Sequence, residues 1–177
     1  MGFIETLSTK HLDACISISN DLFGINYHDK VYFETNIEKK QGIVLFFENK
    51  VIGFLIFKVI SPECSMKTYG IQLNESVGHI DAICVDRSFQ RKGFGSNLIR
   101  KAISILKRDY SSIYTLAWEY EGVINLEKLM DKYGFNIVNH FGYSWKEECE
   151  NNVFHCPAKE NICICSCVVY KLNLNKN

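Results

Sequence analysis

Residues 77–85 (VGHIDAICV) form an apolar, β-branched run, and the turn Gln90-Arg91-Lys92-Gly93-Phe94-Gly95 follows almost at once. From Gly95 to about Arg108 the set Leu98, Ile99, Ala102, Ile103, Ile105 and Leu106 keeps helical spacing, with Lys107 and Arg108 at the negative end of the helix dipole. A strand that passes through a tight turn into a helix commits the chain to helices laid on a sheet. The turn also has a chemical reading. Gly93 and Gly95 can take positive φ and bring backbone N–H groups close to an anion. The helix N-terminus adds about half a positive charge, and Arg91 and Lys92 add full charges. The same geometry also serves as a plain strand-to-helix connection.

The remaining elements are expected to cover that sheet. Residues 3–7 read as a first strand, and Ser8 as an N-cap for the pattern Leu12, Cys15, Ile16, Ile18, Leu22. A second helix is expected over 30–40, and strands over 42–48 and 51–60 joined at Asn49-Lys50 as an antiparallel hairpin. Residues 61–76 lack a sustained period and read as a long loop. Strands are expected over 113–118, 135–140 and 165–172, with a short helix over 125–133 stopped by Gly134. Hairpins mixed with crossovers argue an α/β (α+β) chain with a mixed sheet, and 177 residues argue one domain, 1–177.

Twenty basic residues balance twenty acidic ones, so no global charge draws the chain to nucleic acid or to an acidic membrane. Residues 51–60, the longest apolar stretch, contain Lys58 and fall short of the roughly 20 residues of a membrane span. The start Met1-Gly2-Phe3-Ile4-Glu5 does not read as a signal peptide, so a cytoplasmic location is expected.

The stretch Val85-Asp86-Arg87-Ser88-Phe89-Gln90-Arg91-Lys92-Gly93-Phe94-Gly95-Ser96 resembles the central acetyl-CoA motif of the GNAT superfamily, V-D-x-x-x-Q/R-x-x-G-x-G/A. Residues 129–135 resemble the family's L-Y-x-x-x-G-F helix end. The resemblance implies a mixed, mostly antiparallel splayed sheet with helices on both faces, and acetyl-CoA as cosubstrate of an N-acetyltransferase. The strands ending near Val85 and spanning 113–117 would part to admit the pantetheine arm, with the thioester beside Ile83, Cys84 and Val85. The pyrophosphate would lie on Gln90, Arg91, Lys92, Gly93, Phe94, Gly95 and Ser96, and Asn125 would reach the pantetheine.

Acetylating an amine requires a lone pair that protonation removes at neutral pH, so a general base is expected. His79 and Asp81 are two apart on a strand and share a face. The stretch Gly78–Val85 is similar to the strand of arylalkylamine N-acetyltransferases that carries two histidines. His79 falls on the first and Asp81 on the second. An imidazole suits proton removal near pH 7, with Asp81 orienting it or relaying through water. The alternative is a surface histidine beside a solvated carboxylate. Met130 stands where the family carries a tyrosine that protonates the leaving thiolate, and Tyr133 is the nearest substitute.

Five of eight cysteines crowd into 149–167. Cys156, Cys163 and Cys165, with Cys149 or His155, form a candidate tetrahedral zinc set. Packed reduced thiols and redox chemistry are the alternatives. This tail resembles that of a prokaryotic GNAT subgroup, with Lys159 where a further cysteine would stand. Phe23, Tyr27, Tyr32 and Phe33 are either acceptor-pocket or core aromatics, and Glu34, Glu38, Glu119 and Glu121 are candidates to hold a cationic acceptor. Three functions remain: acetylation of a small-molecule amine, acetylation of a peptide, and a non-catalytic acyl-CoA-binding or zinc-stabilised interaction module. The chain is expected to be a monomer or homodimer.

Overall fold

The computed structural model describes residues 2–140, 142, 145–156 and 165–174. Its strands are β1 (Phe3–Thr6), β2 (Gly42–Phe47), β3 (Lys50–Ile60), β4 (Val77–Val85), β5 (Ser112–Tyr120), β6 (Val123–Ile124), β7 (Asn136–His140) and β8 (Ser166–Asn173). Its helices are α1 (Leu12–Phe23), α2 (Lys30–Glu38), α3 (Pro62–Tyr69), α4 (Phe94–Leu106), α5 (Glu127–Lys132) and α6 (Lys146–Glu150). The strands form one sheet in the order β1-β2-β3-β4-β5-β8-β7, with β6 on β5. Every pairing is antiparallel except β4 with β5. This is the mixed, mostly antiparallel sheet expected from the resemblance.

Alternation along the central strands puts helices on both faces. Val44, Phe54 and Ile56 pack with Cys15 and Ile18 of α1 and Phe33 of α2. Ile43, Leu45 and Leu55 point the other way, against Leu98, Ile99, Ala102 and Leu106 of α4. Gly53 is fixed by close approach, because a Cβ there would stand 2.5 Å from the Cys84 carbonyl oxygen. β4 carries a bulge. Ile56 pairs with Ala82 and Phe57 with Ile80, which leaves Asp81 as the extra residue. The bulge reverses the alternation, so Ala82 and Cys84 join the α1–α2 core, whereas Ile80 and Val85 belong to the α4 core.

Several expectations need correction. Residues 61–76 contain α3, which starts with Pro62 in its first turn and ends at Gly70 in the left-handed region (φ 65°). The β2–β3 turn is centred one residue early, on Glu48 and Asn49 with φ of 49° and 61°, the pair of positive angles that suits a tight hairpin. α5 begins at Glu127, so Asn125 lies in the turn before it. α4 begins at Phe94, and Gly95 is a helical residue without positive φ. Helix α6 has no counterpart in the sequence reading.

Candidate active site

The parallel pairing of β4 with β5 is short: Gly78↔Ile113, His79↔Tyr114 and Ile80↔Thr115. At the last rung Thr115 Oγ1 donates to the Ile80 carbonyl at 2.8 Å. Beyond it β4 stays paired to β3 through Val85, and β5 to β8 through Glu119↔Ser166. The sheet therefore parts from Asp81 onward, where the β5-facing edge of β4 has no strand partner among the described residues. A V-shaped opening of this kind can take an extended arm that pairs with a strand edge. Ile83 is half-buried at this opening. Cys84 turns its thiol into the α1–α2 core, so only its backbone faces the opening.

The turn at the open end is tied internally. Gln90 Nε2 donates to the Val85 carbonyl at 2.8 Å, Lys92 Nζ donates to the Ser88 carbonyl at 2.8 Å, and the Asp86 carboxylate accepts from the Ser88 amide at 2.9 Å. Arg91 is exposed with φ 59°, and Gly93 has φ 84° as the N-cap of α4. No side chain caps α4, so the amides of Phe94, Gly95 and Ser96 keep their capacity to bind an anion. A Cβ on Gly93 would meet nothing within 4 Å, which leaves open space beside these amides. Lys92 is partly drawn off by Ser88, so Arg91 is the clearer source of full charge. These features fit a pyrophosphate.

The first turn of α4 is clamped by α5. Tyr133 Oη donates to the Ser96 carbonyl at 2.8 Å, and Lys132 Nζ donates to Ser96 Oγ at 3.0 Å. Tyr133 thus anchors the turn. Met130 is wholly buried, and Asn125 is exposed.

His79 and Asp81 do come together, within a larger cluster. His79 is buried, with Nδ1 at 3.0 Å from Tyr69 Oη and Nε2 at 3.6 Å from Asp81 Oδ1. Asp81 Oδ2 accepts from Tyr32 Oη at 2.5 Å and from Lys58 Nζ at 2.8 Å. Burial pushes the Asp81 carboxyl up, but His79 and then Lys58 outweigh it and hold the group well below the usual carboxylate range. Burial raises the Tyr32 and Tyr69 phenols, reinforced at Tyr32 by the Asp81 charge, so both stay protonated, and Tyr32 donates to Asp81. Of the four candidate aromatics Phe33 is core, whereas Tyr32 touches the site. Tyr69 and Lys58 were missed by the sequence reading. Tyr69 lies on the unforeseen helix α3, stacks on Tyr114 at 4.9 Å, and is held by Asn139 Nδ2 on its carbonyl at 2.9 Å.

Behind this cluster His28 stacks on Tyr32 at 4.2 Å, with Nδ1 at 2.9 Å from Ser19 Oγ. Burial is the main cause that lowers its pKa from 6.5 to about 4. A neutral buried histidine favours the folded state above the unfolded pKa of 6.5, and this contribution is lost as pH falls toward 4. Acidification from pH 7 to 4 is expected to cost about 3 kcal/mol at this residue. Denaturant unfolding of the wild type and of His28→Gln across that range checks the point. The variant should show a shallower loss, and parallel curves would remove His28 as the cause.

Cys149 and Cys165 are buried together beside Trp118, Tyr120 and Phe154, with Cys156 packed on them. Cys167 is buried on β8 opposite Trp118. The exposed His155 binds Ile25 through its backbone. Cys163 lies outside the described residues. Among the described residues no group of three His, Cys, Asp or Glu side chains could hold a metal ion. Nor is any described helix long and apolar enough to cross a membrane.

The profile of the Acetyltransferase (GNAT) family matches residues 12–135. No curated protein sequence matches the chain. Among solved structures, the ribosomal-protein-S18-alanine N-acetyltransferase from Escherichia coli is similar over 100% of this chain and 96% of its own, with 17% identity and a TM-score of 0.71. Arabidopsis thaliana NAA60 in complex with a bisubstrate analogue covers 100% of both chains at 13% identity and a TM-score of 0.76. Ard1 from Thermoplasma volcanium covers 99% of both at 16% identity and a TM-score of 0.72.

Proposed function

This chain belongs to the acetyltransferase (GNAT) family, whose members are acetyl-CoA-dependent N-acetyltransferases, and from that premise we propose that it acetylates a primary amine by direct attack on the thioester, using His79 and Asp81. The whole chain, 1–177, acts as one domain in the cytoplasm. The observation that carries the reading is the parting of β4 from β5 at Ile80↔Thr115. It puts an open strand edge between the uncapped start of α4 and the His79–Asp81 pair.

The pyrophosphate rests on the amides of 94–96 with Arg91 beside it, and the arm runs along residues 83–85 toward the bulge. An incoming ammonium is drawn to Asp81, which stays ionised. In the tautomer with Nδ1–H donating to Tyr69 Oη, the Nε2 lone pair faces the 3.6 Å gap toward Asp81. An amine nitrogen over that gap reaches both groups and gives its proton to Nε2. The amine nitrogen then bonds to the acetyl carbon as the carbon–sulfur bond breaks, the thiolate leaves with the electron pair, and the acylated nitrogen gives its second proton to that thiolate, which yields the amide and the free thiol. Tyr69 fixes the ring, while Lys58 and Tyr32 fix Asp81. Cys149 and Cys165 act as packed thiols that hold the last strand.

Thermal unfolding with and without acetyl-CoA tests the reading, followed by thiol release over a panel of primary amines. Ligand at about 100 times its dissociation constant adds about 2.7 kcal/mol, which raises the midpoint by roughly 5–10 °C for a chain of this size. An unchanged midpoint at saturating acetyl-CoA would rule out the site.

A further inference from the structure

Two segments border the open end of the splay: residues 24–29 between α1 and α2, and residues 145–156 ahead of β8. They are joined. The His155 amide donates to the Ile25 carbonyl at 2.9 Å, which makes an isolated antiparallel bridge. The Tyr27 ring meets Phe154 edge-on at 4.8 Å, and the Trp145 side chain lies beside the Tyr27 hydroxyl. That hydroxyl lies within electrostatic reach of Asp81 on β4, Cys167 on β8 and Glu148 on α6. From Tyr27 the rings continue to His28 at 4.6 Å and from His28 to Tyr32 at 4.2 Å, the residue bonded to Asp81. An unbroken row of rings, Phe154-Tyr27-His28-Tyr32, thus runs from the bridge to the carboxylate.

A polypeptide acceptor must continue past its first residue. An extended chain needs about 4.7–4.9 Å beside each neighbouring strand, and segments joined by a direct N–H···O bond leave no such gap. Next to Tyr32 and Lys58, the two side chains that hold Asp81, lies a cleft of about 450 Å³ between α2 and the end of β3, lined also by Asn36 and Gln41, with Val31 and Val59 on it. That volume lies in the range of small-molecule sites.

We infer that the bridged segments close the acceptor site to polypeptides, that its substrate is a small primary amine, and that Tyr27 and Phe154 set the size limit. The inference rests on the transferase reading above. Its test uses the full chain with acetyl-CoA and a ladder of acceptors: simple alkyl and arylethyl amines, an amino-acid amide, and peptides of increasing length that share its first residue. Thiol release and product mass are the readouts. Short amines should turn over, and kcat/KM should fall at least about tenfold between the amide and the longer peptides. Phe154→Ala should raise the long-to-short ratio by a similar factor. So should His155→Pro, which removes the bridging N–H at an exposed position. Equal turnover of amide and peptides by the wild type overturns this inference alone, as does an unchanged ratio in both folded variants. Absence of thiol release with every acceptor overturns it together with the transferase reading.

Discussion

Gly93→Val is expected to abolish acetyl-CoA binding while leaving a folded protein. The backbone at this position has φ 84°, a region in which a β-branched residue is a true outlier. Holding valine there costs about 1–3 kcal/mol, and the alternative is a shift of the turn that takes the amides of Phe94, Gly95 and Ser96 out of line. Either outcome harms the anion site. The protein itself leaves room for the new side chain, since a Cβ meets nothing within 4 Å. The methyl groups would therefore fill the space that the pyrophosphate requires, and the core beneath would feel little. Affinity should fall by at least about 100-fold, equivalent to about 2.7 kcal/mol. Calorimetric titration measures it, with thermal unfolding of the unliganded variant as the control for folding. A folded Gly93→Val that binds acetyl-CoA within about threefold of wild type would show that the amides do not hold the cofactor. Gly95 offers a contrast, because it is helical and a Cβ there makes ordinary contact with Leu129 at 3.4 Å.

What could be read in advance follows the range of the interactions. The strand, turn and helix around Gly93 are contiguous, so their periods and glycines sufficed to place them. His79 and Asp81 are likewise close in sequence, and their shared face was visible from spacing. The bulge that aims Asp81 was not, because it exists only in the register between β3 and β4. Tyr32 reaches Asp81 from 49 positions away, and Lys58 arrives on a different strand. No local pattern announces such contacts. Tyr69 was lost for another reason. Residues 61–76 contain Pro, Gly and Ser, which read as loop signals, yet Ser61-Pro62 and Gly70 stand where a helix starts and stops. Counting them as boundaries would have recovered α3 and a second aromatic beside the histidine. For the cysteine-rich tail the sequence leaves packed reduced thiols, a zinc set and redox chemistry all open, because a thiol serves each of them. In the structure, Cys149 and Cys165 pack against Trp118, Tyr120 and Phe154, contacts that depend on strands far apart in sequence.

His79→Ala is expected to lower kcat/KM by about 10²–10⁴ near neutral pH, and the pH dependence of that loss separates a base from a structural histidine. An alkyl amine with a pKa near 10 is almost wholly protonated at pH 7, so the wild type depends on a group that removes the proton. As pH approaches the pKa of the amine, the free base form becomes abundant and the need for His79 declines. The ratio of wild-type to variant activity should therefore shrink steadily between about pH 7 and 10. Loss of packing alone would give a ratio that stays constant across this range. Asp81→Asn should behave differently, since asparagine keeps the shape but not the charge that Lys58, Tyr32 and His79 surround. Its main deficit should be in KM for the cationic acceptor, with a smaller change in kcat. If His79→Ala keeps full turnover at neutral pH, or if its deficit does not depend on pH, the proton must leave by another route. The Asp81 carboxylate would then be the group to test, although its depressed pKa makes it a weak acceptor.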